Sequence, residues 1–318
     1  MKTLLPLLCD VEIDKSQTFR NLSMYPLQSA TGSQTVDYTM FNAQVDTNRV
    51  RIVEKFSSQD NSDLKVGFTG DRRYLILDGD GLPTPDNIYI CATSALLPAG
   101  EVVTLPVYDL KQGRWIHESD TIQHFARNFL SSGTSEKAQA RRPESRSSEV
   151  AIEHDNRQEK QAQMDRESTH YTQNKAKLQD YLDNLTVLAS HIGAIFVVNG
   201  EVAGIDLFEN DTIFASQLAS LIDCYAADPL KVRSTISKRK SKNAAAAFLS
   251  EIRNTPIMTS PTPGDGEGLR FESTTLIGGA LRVDKRVVHL CAMPESAAVN
   301  TTEFRARKSR AQAAANRA

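Results

Sequence analysis

The sequence is poor in the residues that most often betray a chemistry. Its four cysteines, Cys9, Cys91, Cys224 and Cys291, lie far apart, with no Cys-x-x-Cys pair among them. Buried free thiols in a reducing compartment are the expectation, which places the protein in the cytoplasm. Neither Cys9 nor Cys291 has the basic helix-start setting that makes a thiol nucleophilic. The six histidines, His117, His124, His154, His170, His191 and His289, show no metal-ligand spacing. His289 stands in an apolar strand and reads as a core residue, and no Ser-His-Asp or Cys-His set stands out along the chain. No run approaches the roughly 20 apolar residues of a membrane span. The apolar start, Met1 to Cys9, is too short for a signal peptide; it contains Pro6 and meets Asp10 and Glu12 without a cleavage site. A net charge of −2 exerts no overall pull toward nucleic acid or membrane.

What is present is enough for a core: 40% of the 318 residues are hydrophobic. The stretch from Ala95 to Trp115 holds a Leu97-Pro98-Ala99-Gly100 turn between two apolar β-type runs, and ends in Gln112-Gly113-Arg114-Trp115 with the single Trp. Leu4 to Ile13 suits an edge strand or a short helix, and Phe19 to Leu27 alternates. A short helix is expected around Tyr38 to Val45, then a strand over Val50 to Phe56. Leu64 to Phe68 and Tyr74 to Leu77 read as strands joined in a hairpin across Thr69-Gly70-Asp71-Arg72, the second apolar on both faces. Asn87 to Ala92 and Val102 to Leu110 form a further pair.

Composition changes near Glu118, and from about 119 to 190 the residues suit a helical insert. Strands return with a hairpin over 193–208 turned at Asn199-Gly200, a type I′ signal. Asp211 or Thr212 is expected to cap a helix running to Ala226. Another helix covers Asn243 to Arg253. A last hairpin region spans Leu269 to Cys291, with turns at Gly278-Gly279 and Asp284-Lys285. The basic run Lys231 to Lys242 and the basic tail 297–318 suit phosphate contact or a solvated charge cluster; no aromatics are interleaved, so nucleic acid is disfavoured. The expected class is therefore α+β: two antiparallel, hairpin-rich halves with a helical insert, packed as one two-layer domain over 21–296 after an extension over 1–20.

Two readings stand beside each other at each candidate site. Arg114 can hold a phosphate or carboxylate while Trp115 stacks on a base, or the pair closes the core. Asp78 and Asp80 follow a buried strand and could hold a divalent cation or supply a base, or form a turn. Gly264 to Gly268 lacks the Lys-Ser/Thr of a Walker loop and reads as a flexible loop, after which Arg270 could face an anion.

Several segments, in common order, resemble one family. They are Tyr74 to Asp80, Leu97 to Gly100, Pro106-Val107, Gln112 to Trp115, Val198 to Gly200, Gly204 to Phe208, and Arg270 with the final hairpin through His289. The resemblance is to the ARPP-type domain, associated with ADP-ribosylglycohydrolase and rhodanese-phosphatase proteins, and it spans Asn21 to Pro294. It implies binding and hydrolytic processing of a nucleotide or an ADP-ribose- or NAD-derived molecule. In that frame Asp78, Asp80 and Asp206 would be catalytic, and Glu54, Gln112, Arg114, Trp115 and Arg270 would bind ligand. The chain departs from the family pattern at Asp86 to Tyr89, Tyr108 to Lys111 and Val150-Ala151. Those departures support an alternative, a non-catalytic scaffold whose partner or second copy docks on the helical insert.

Overall fold

A computed structural model describes residues 2–30, 35–41, 50–55, 62–78, 80–83, 88–91, 93–109, 179–226 and 238–294. Three sheets carry the fold. The largest joins β1 (Val11–Ile13), β2 (Gln17–Phe19) and β3 (Leu22–Ser29) to strands of the second half of the chain. Those are β12 (His191–Val198), β13 (Glu201–Phe208), β14 (Ile257–Pro261), β15 (Glu267–Glu272), β16 (Leu276–Val283) and β17 (Arg286–Pro294). Their order is β1-β3-β12-β13-β17-β16-β15-β14, with β2 on β3. A three-stranded sheet runs β10 (Ala95–Leu97), β7 (Arg73–Ile76), β4 (Tyr38–Met40). The five-stranded sheet runs β5 (Val50–Lys55), β6 (Ser62–Phe68), β11 (Val102–Asp109), β9 (Ile88–Cys91), β8 (Gly81–Pro83).

Side-chain alternation sorts the core into layers. On one face of the large sheet, Ile195, Val197, Ile205, Leu207, Leu269 and Phe271 meet Ala245, Phe248, Leu249 and Ile252 of helix α3 (Lys238–Asn254). Leu4 and Leu8, flanking and ending the short helix α1 (Leu5–Leu8), and Val11 join this core. On the opposite face, Ala194, Phe196 and Phe208 meet Ile213, Phe214, Leu218, Leu221 and Ile222 of α2 (Asp211–Ala226). Leu75, Leu77 and Leu96 enter that second core beside Leu281, Val283 and Val288. Their neighbours Tyr74, Ile76, Ala95 and Leu97 point the other way, into a third core with Leu64, Val66, Phe68 and Leu105. The three-stranded sheet is thus an inner layer, apolar on both faces.

The expected α+β class does not hold. Strands take 52% of the described residues and the fold is mostly β. Strands from both halves of the chain share the nine-stranded sheet, because antiparallel pairing satisfies backbone donors from hairpin to hairpin without a boundary between halves. The helix-forming composition behind the two-layer expectation falls mainly on residues outside those described; residues 179–184 are helical. Other corrections are local. β6 and β7 do not form a hairpin: β6 pairs with β5 and β11, and β7 with β10 and β4. The 69–72 turn crosses between sheets because β7 needs apolar cover on both faces. Tyr38–Met40 is a strand rather than the start of a helix. Gly278 and Gly279 lie inside β16, and the turn after β15 spans Ser273 to Thr275 instead. The α2 cap is Asn210, whose Oδ1 accepts the Ile213 N–H at 3.0 Å. The 199–200 turn has the positive φ expected of Asn-Gly, 52° and 84°, and the turn at 284–285 also has positive φ, 48° and 67°. Among the described residues Cys91 is buried and Cys9 exposed, and no helix is long and apolar enough to cross a membrane.

Polar contacts lock the inner layer to the large sheet. Tyr38 donates to Glu209 Oε2 at 3.2 Å, and Arg286 Nη1 lies 2.7 Å from Glu209 Oε1 without hydrogen-bond geometry. Arg73 pairs with Asp37 and, at 3.2 Å, with Asp265. The Asp265 N–H reaches the Leu96 carbonyl at 2.8 Å. Gly264, at φ 77°, lets this loop approach: a Cβ there would stand 2.2 Å from that same oxygen.

Desolvation pushes the Glu209 carboxyl above its ordinary range, and the Arg286 guanidinium and the Tyr38 hydroxyl pull back only part of that. The folded state therefore holds the proton at pH values where the unfolded chain, near 4.5, has released it. Stability contributed by this site falls as pH rises from the unfolded value through the raised folded one. Glu209→Gln is expected to remove that downward component, read from urea midpoints across a pH series from about 4.5 to 8. An unchanged pH profile would show that Glu209 ionises as freely in the folded protein as in the unfolded chain.

Candidate active site

Asp206 and Phe208 are two apart on β13, so their side chains share the face covered by α2. On β17, His289 lies opposite Phe208 and Cys291 opposite Asp206. This register sets His289 diagonally from Asp206, with Nε2 3.4 Å from Asp206 Oδ1. The His289 ring leans on Phe208 at 4.9 Å between centroids. Both polar side chains are nearly enclosed, His289 at 5% and Asp206 at 9% exposed. A polar pair in that setting is retained only if its hydrogen bonds are made.

The second Asp206 oxygen has its own donor. Tyr225, in the last turn of α2, stacks on Phe196 at 4.2 Å and donates its hydroxyl to Asp206 Oδ2 at 2.9 Å. Gly204 makes the approach possible, since a Cβ on it would stand 2.5 Å from the Tyr225 hydroxyl.

The far side of His289 belongs to a different sheet. Ser94, just before β10, places Oγ 3.0 Å from His289 Nδ1. The Asp78 N–H donates to the same Oγ at 3.0 Å, and Thr262 Oγ1 donates to the Ser94 carbonyl at 3.4 Å. With one Oγ lone pair taken by Asp78, the Ser94 hydrogen is free to point at Nδ1. Asp206 accepts, so the neutral imidazole carries its proton on Nε2 and presents Nδ1 as acceptor. Ser94, His289 and Asp206 then form a continuous hydrogen-bonded path: a hydroxyl, an imidazole, and a carboxylate that orients the ring. Ser94 is the least enclosed member of this set, intermediate in burial where Asp206 and His289 are buried.

The residues singled out by sequence are spread around this set. Asp206 is within it. Asp78 contributes through its backbone while its side chain is exposed. Asp80 is buried and accepts the Leu77 N–H at 2.8 Å, the turn arrangement. Glu54 lies opposite Leu64 on β5, in the five-stranded sheet away from Asp206. Arg270 is exposed on β15. Gln112, Arg114 and Trp115 lie outside the described residues. No group of three or more His, Cys, Asp or Glu among the described residues could hold a metal ion. Ser94 and Tyr225 were not singled out, and His289 was read as core. A Ser and a His 195 positions apart carry no spacing signal. The one legible hint was polarity, a His and an Asp each inside an otherwise apolar strand.

The family model for the ARG and Rhodanese-Phosphatase-superfamily-associated Protein domain, ARPP-1, matches residues 10–293. The chain belongs to the ARPP-1 family. The matched ARPP-1 region contains Ser94, Asp206, Tyr225 and His289. The ARPP-1 domain is associated with ADP-ribosylglycohydrolase and rhodanese-phosphatase contexts. No curated protein and no solved structure matches the chain.

Removing the Tyr225 hydroxyl strands one buried Asp206 oxygen. Tyr225→Phe is expected to cost about 1.5–3 kcal/mol, the range for a hydrogen bond to a charged group. Gly204→Ala, which drives the same hydroxyl away, is expected to cost at least as much; urea unfolding of both variants checks this.

Proposed function

We propose that this ARPP-1 protein binds and hydrolyses a nucleotide or an ADP-ribose- or NAD-derived molecule, with Ser94 as nucleophile and His289 as its base. The carrying observation is the Ser94–His289–Asp206 path, at 3.0 and 3.4 Å, completed by Tyr225. The family's ADP-ribosylglycohydrolase and rhodanese-phosphatase associations are compatible with that substrate class and support it.

The step is written with Ser94 Oγ attacking an acyl or phosphoryl centre while its proton passes to His289 Nδ1. The departing alcohol takes that proton from the imidazolium. A water whose proton passes to the same nitrogen then attacks the Ser94-linked centre; the bond to Ser94 Oγ breaks, the acid product leaves, and the imidazolium returns the proton to Oγ. Asp206 holds the imidazole through Nε2, while Tyr225 fixes the rotation of the Asp206 side chain. Apolar surroundings strengthen that interaction, because Phe196, Phe208 and Phe214 keep water from the pair.

The full chain assayed against a panel of ADP-ribose esters, phosphorylated ADP-ribose and nucleotides should turn over at least one of them. Ser94→Ala and His289→Ala should each lower kcat/KM on the order of 10³-fold or more, and Asp206→Asn comparably. Turnover that survives Ser94→Ala would end the nucleophile assignment. Ligand binding with no turnover of any compound would favour the non-catalytic scaffold.

A further inference from the structure

The face that carries Asp206 and His289 continues past them toward the sheet edge. Cys291 lies opposite Asp206, Gly279 opposite Cys291, Arg270 opposite Gly279, and Met258 opposite Arg270. This is one cross-strand row, and its members alternate with Leu269, Phe271, Ala280, Leu290 and Ala292, which face α3. Near β13 the row is enclosed by α2, whereas Cys291 and Gly279 are half-buried and Arg270 is exposed. Met258 beyond it is 56% exposed. Three strand steps of about 4.8 Å separate Asp206 from Arg270, roughly 14 Å across the sheet.

Two features suit this strip to a ligand. Arg270 makes no hydrogen bond or ion pair with any described residue. The acids on its own strand are committed, Glu267 to Arg282 at 2.6 Å and Glu272 to an interaction of its own. Among the described residues its positive charge is therefore unpaired. Among the described residues, a Cβ on Gly279 would meet only the Leu269 carbonyl, at an ordinary 3.6 Å. The adjacent Gly278 differs, because a Cβ there would stand 2.4 Å from the Phe271 ring. Packing thus accounts for glycine at 278, whereas at 279 no described side chain stands within 4 Å of a Cβ.

We infer that Cys291, Gly279 and Arg270 form an anchoring subsite for the phosphate end of a ligand whose reacting end lies at Ser94. A guanidinium grips a phosphate bidentately, and a glycine floor lets a sugar–phosphate backbone lie close to the sheet. The inference rests on the proposed function for the reacting end and adds the polarity of binding: phosphate toward β15, scissile bond toward β17 and Ser94. The row selects for phosphate-bearing ligands over neutral nucleosides.

The test is titration calorimetry of the full chain with ADP-ribose, ADP, inorganic pyrophosphate and adenosine, at two salt concentrations. Arg270→Ala is expected to weaken ADP-ribose and ADP at least tenfold and to abolish the salt dependence, with Arg270→Lys recovering part of the loss. Gly279→Val should weaken both similarly while leaving the thermal midpoint near wild type, since the site has room for the side chain. Ser94→Ala should bind ADP-ribose as wild type does. Wild-type affinity retained in Arg270→Ala and Gly279→Val overturns the subsite, as does failure of the wild-type chain to bind any phosphate compound. Arg270-dependent binding without turnover leaves the subsite standing and removes the hydrolytic reading. Turnover that needs Ser94 but ignores Arg270 does the reverse.

Discussion

The docking of a small three-stranded sheet against the nine-stranded one is the contact on which the candidate site depends. Ser94 belongs to the first, His289 and Asp206 to the second, and the 3.0 Å contact between Ser94 and His289 exists only while the two layers stay in register. Leu75, Leu77 and Leu96 supply the apolar part of that docking, each essentially fully buried. Burying a Leu is worth about 1.5–3 kcal/mol, so three of them outweigh any single polar contact across the interface. The polar contacts do something different. Tyr38 on Glu209, Arg73 on Asp265 and the Asp265 N–H on the Leu96 carbonyl are directional, and they decide where along the large sheet the small one comes to rest.

Within the large sheet the geometry is set by strand register. A slip of one residue on β17 would send His289 to the α3 face and bring Leu290 to the site. The strand carries an irregularity between Leu281 and Arg282 on its partner β16, so that Val287 pairs with Arg282 and His289 with Leu281. That extra residue puts Val288 into the second core and still aligns His289 with Phe208. On β13 the paired requirement is the Gly204–Asp206–Phe208 alternation: open space for Tyr225, a carboxylate, and a ring against the imidazole. Three consecutive same-face positions thus build the acidic end of the path. The same sheet face, continued outward, leads to Arg270, so one register governs both the reacting groups and the cation.

Much of the architecture was legible in residue pattern. The Asn199-Gly200 hairpin, the α2 periodicity from Ile213 to Tyr225 and the two-faced burial of Tyr74 to Leu77 follow from turn chemistry and apolar spacing, and all three stand in the structure. The 69–72 turn misled because Gly-Asp suits a sheet-to-sheet crossing as well as a hairpin, and nothing local distinguishes them. Gly278-Gly279 misled in the same way: adjacent glycines mark a turn unless a neighbouring ring, here Phe271, needs the space within a strand. The α2 cap shifted by one residue, to Asn210, because several cap-competent side chains follow Phe208 in succession.

By itself the sequence determined the family, many of the individual strands and the turns at 199–200 and 284–285, because these depend on local propensity and on motifs read in order. It also placed Asp206 and His289 within apolar strands, where His289 reads as a core residue and neither is given a partner. Only the tertiary structure decided that Ser94 meets His289, that Tyr225 meets Asp206, and that Arg270 shares their face. Those meetings depend on register between strands distant in the chain and on how two sheets dock. Neither is encoded in spacing along the chain, because each is the sum of many small packing preferences that act only once the layers are assembled.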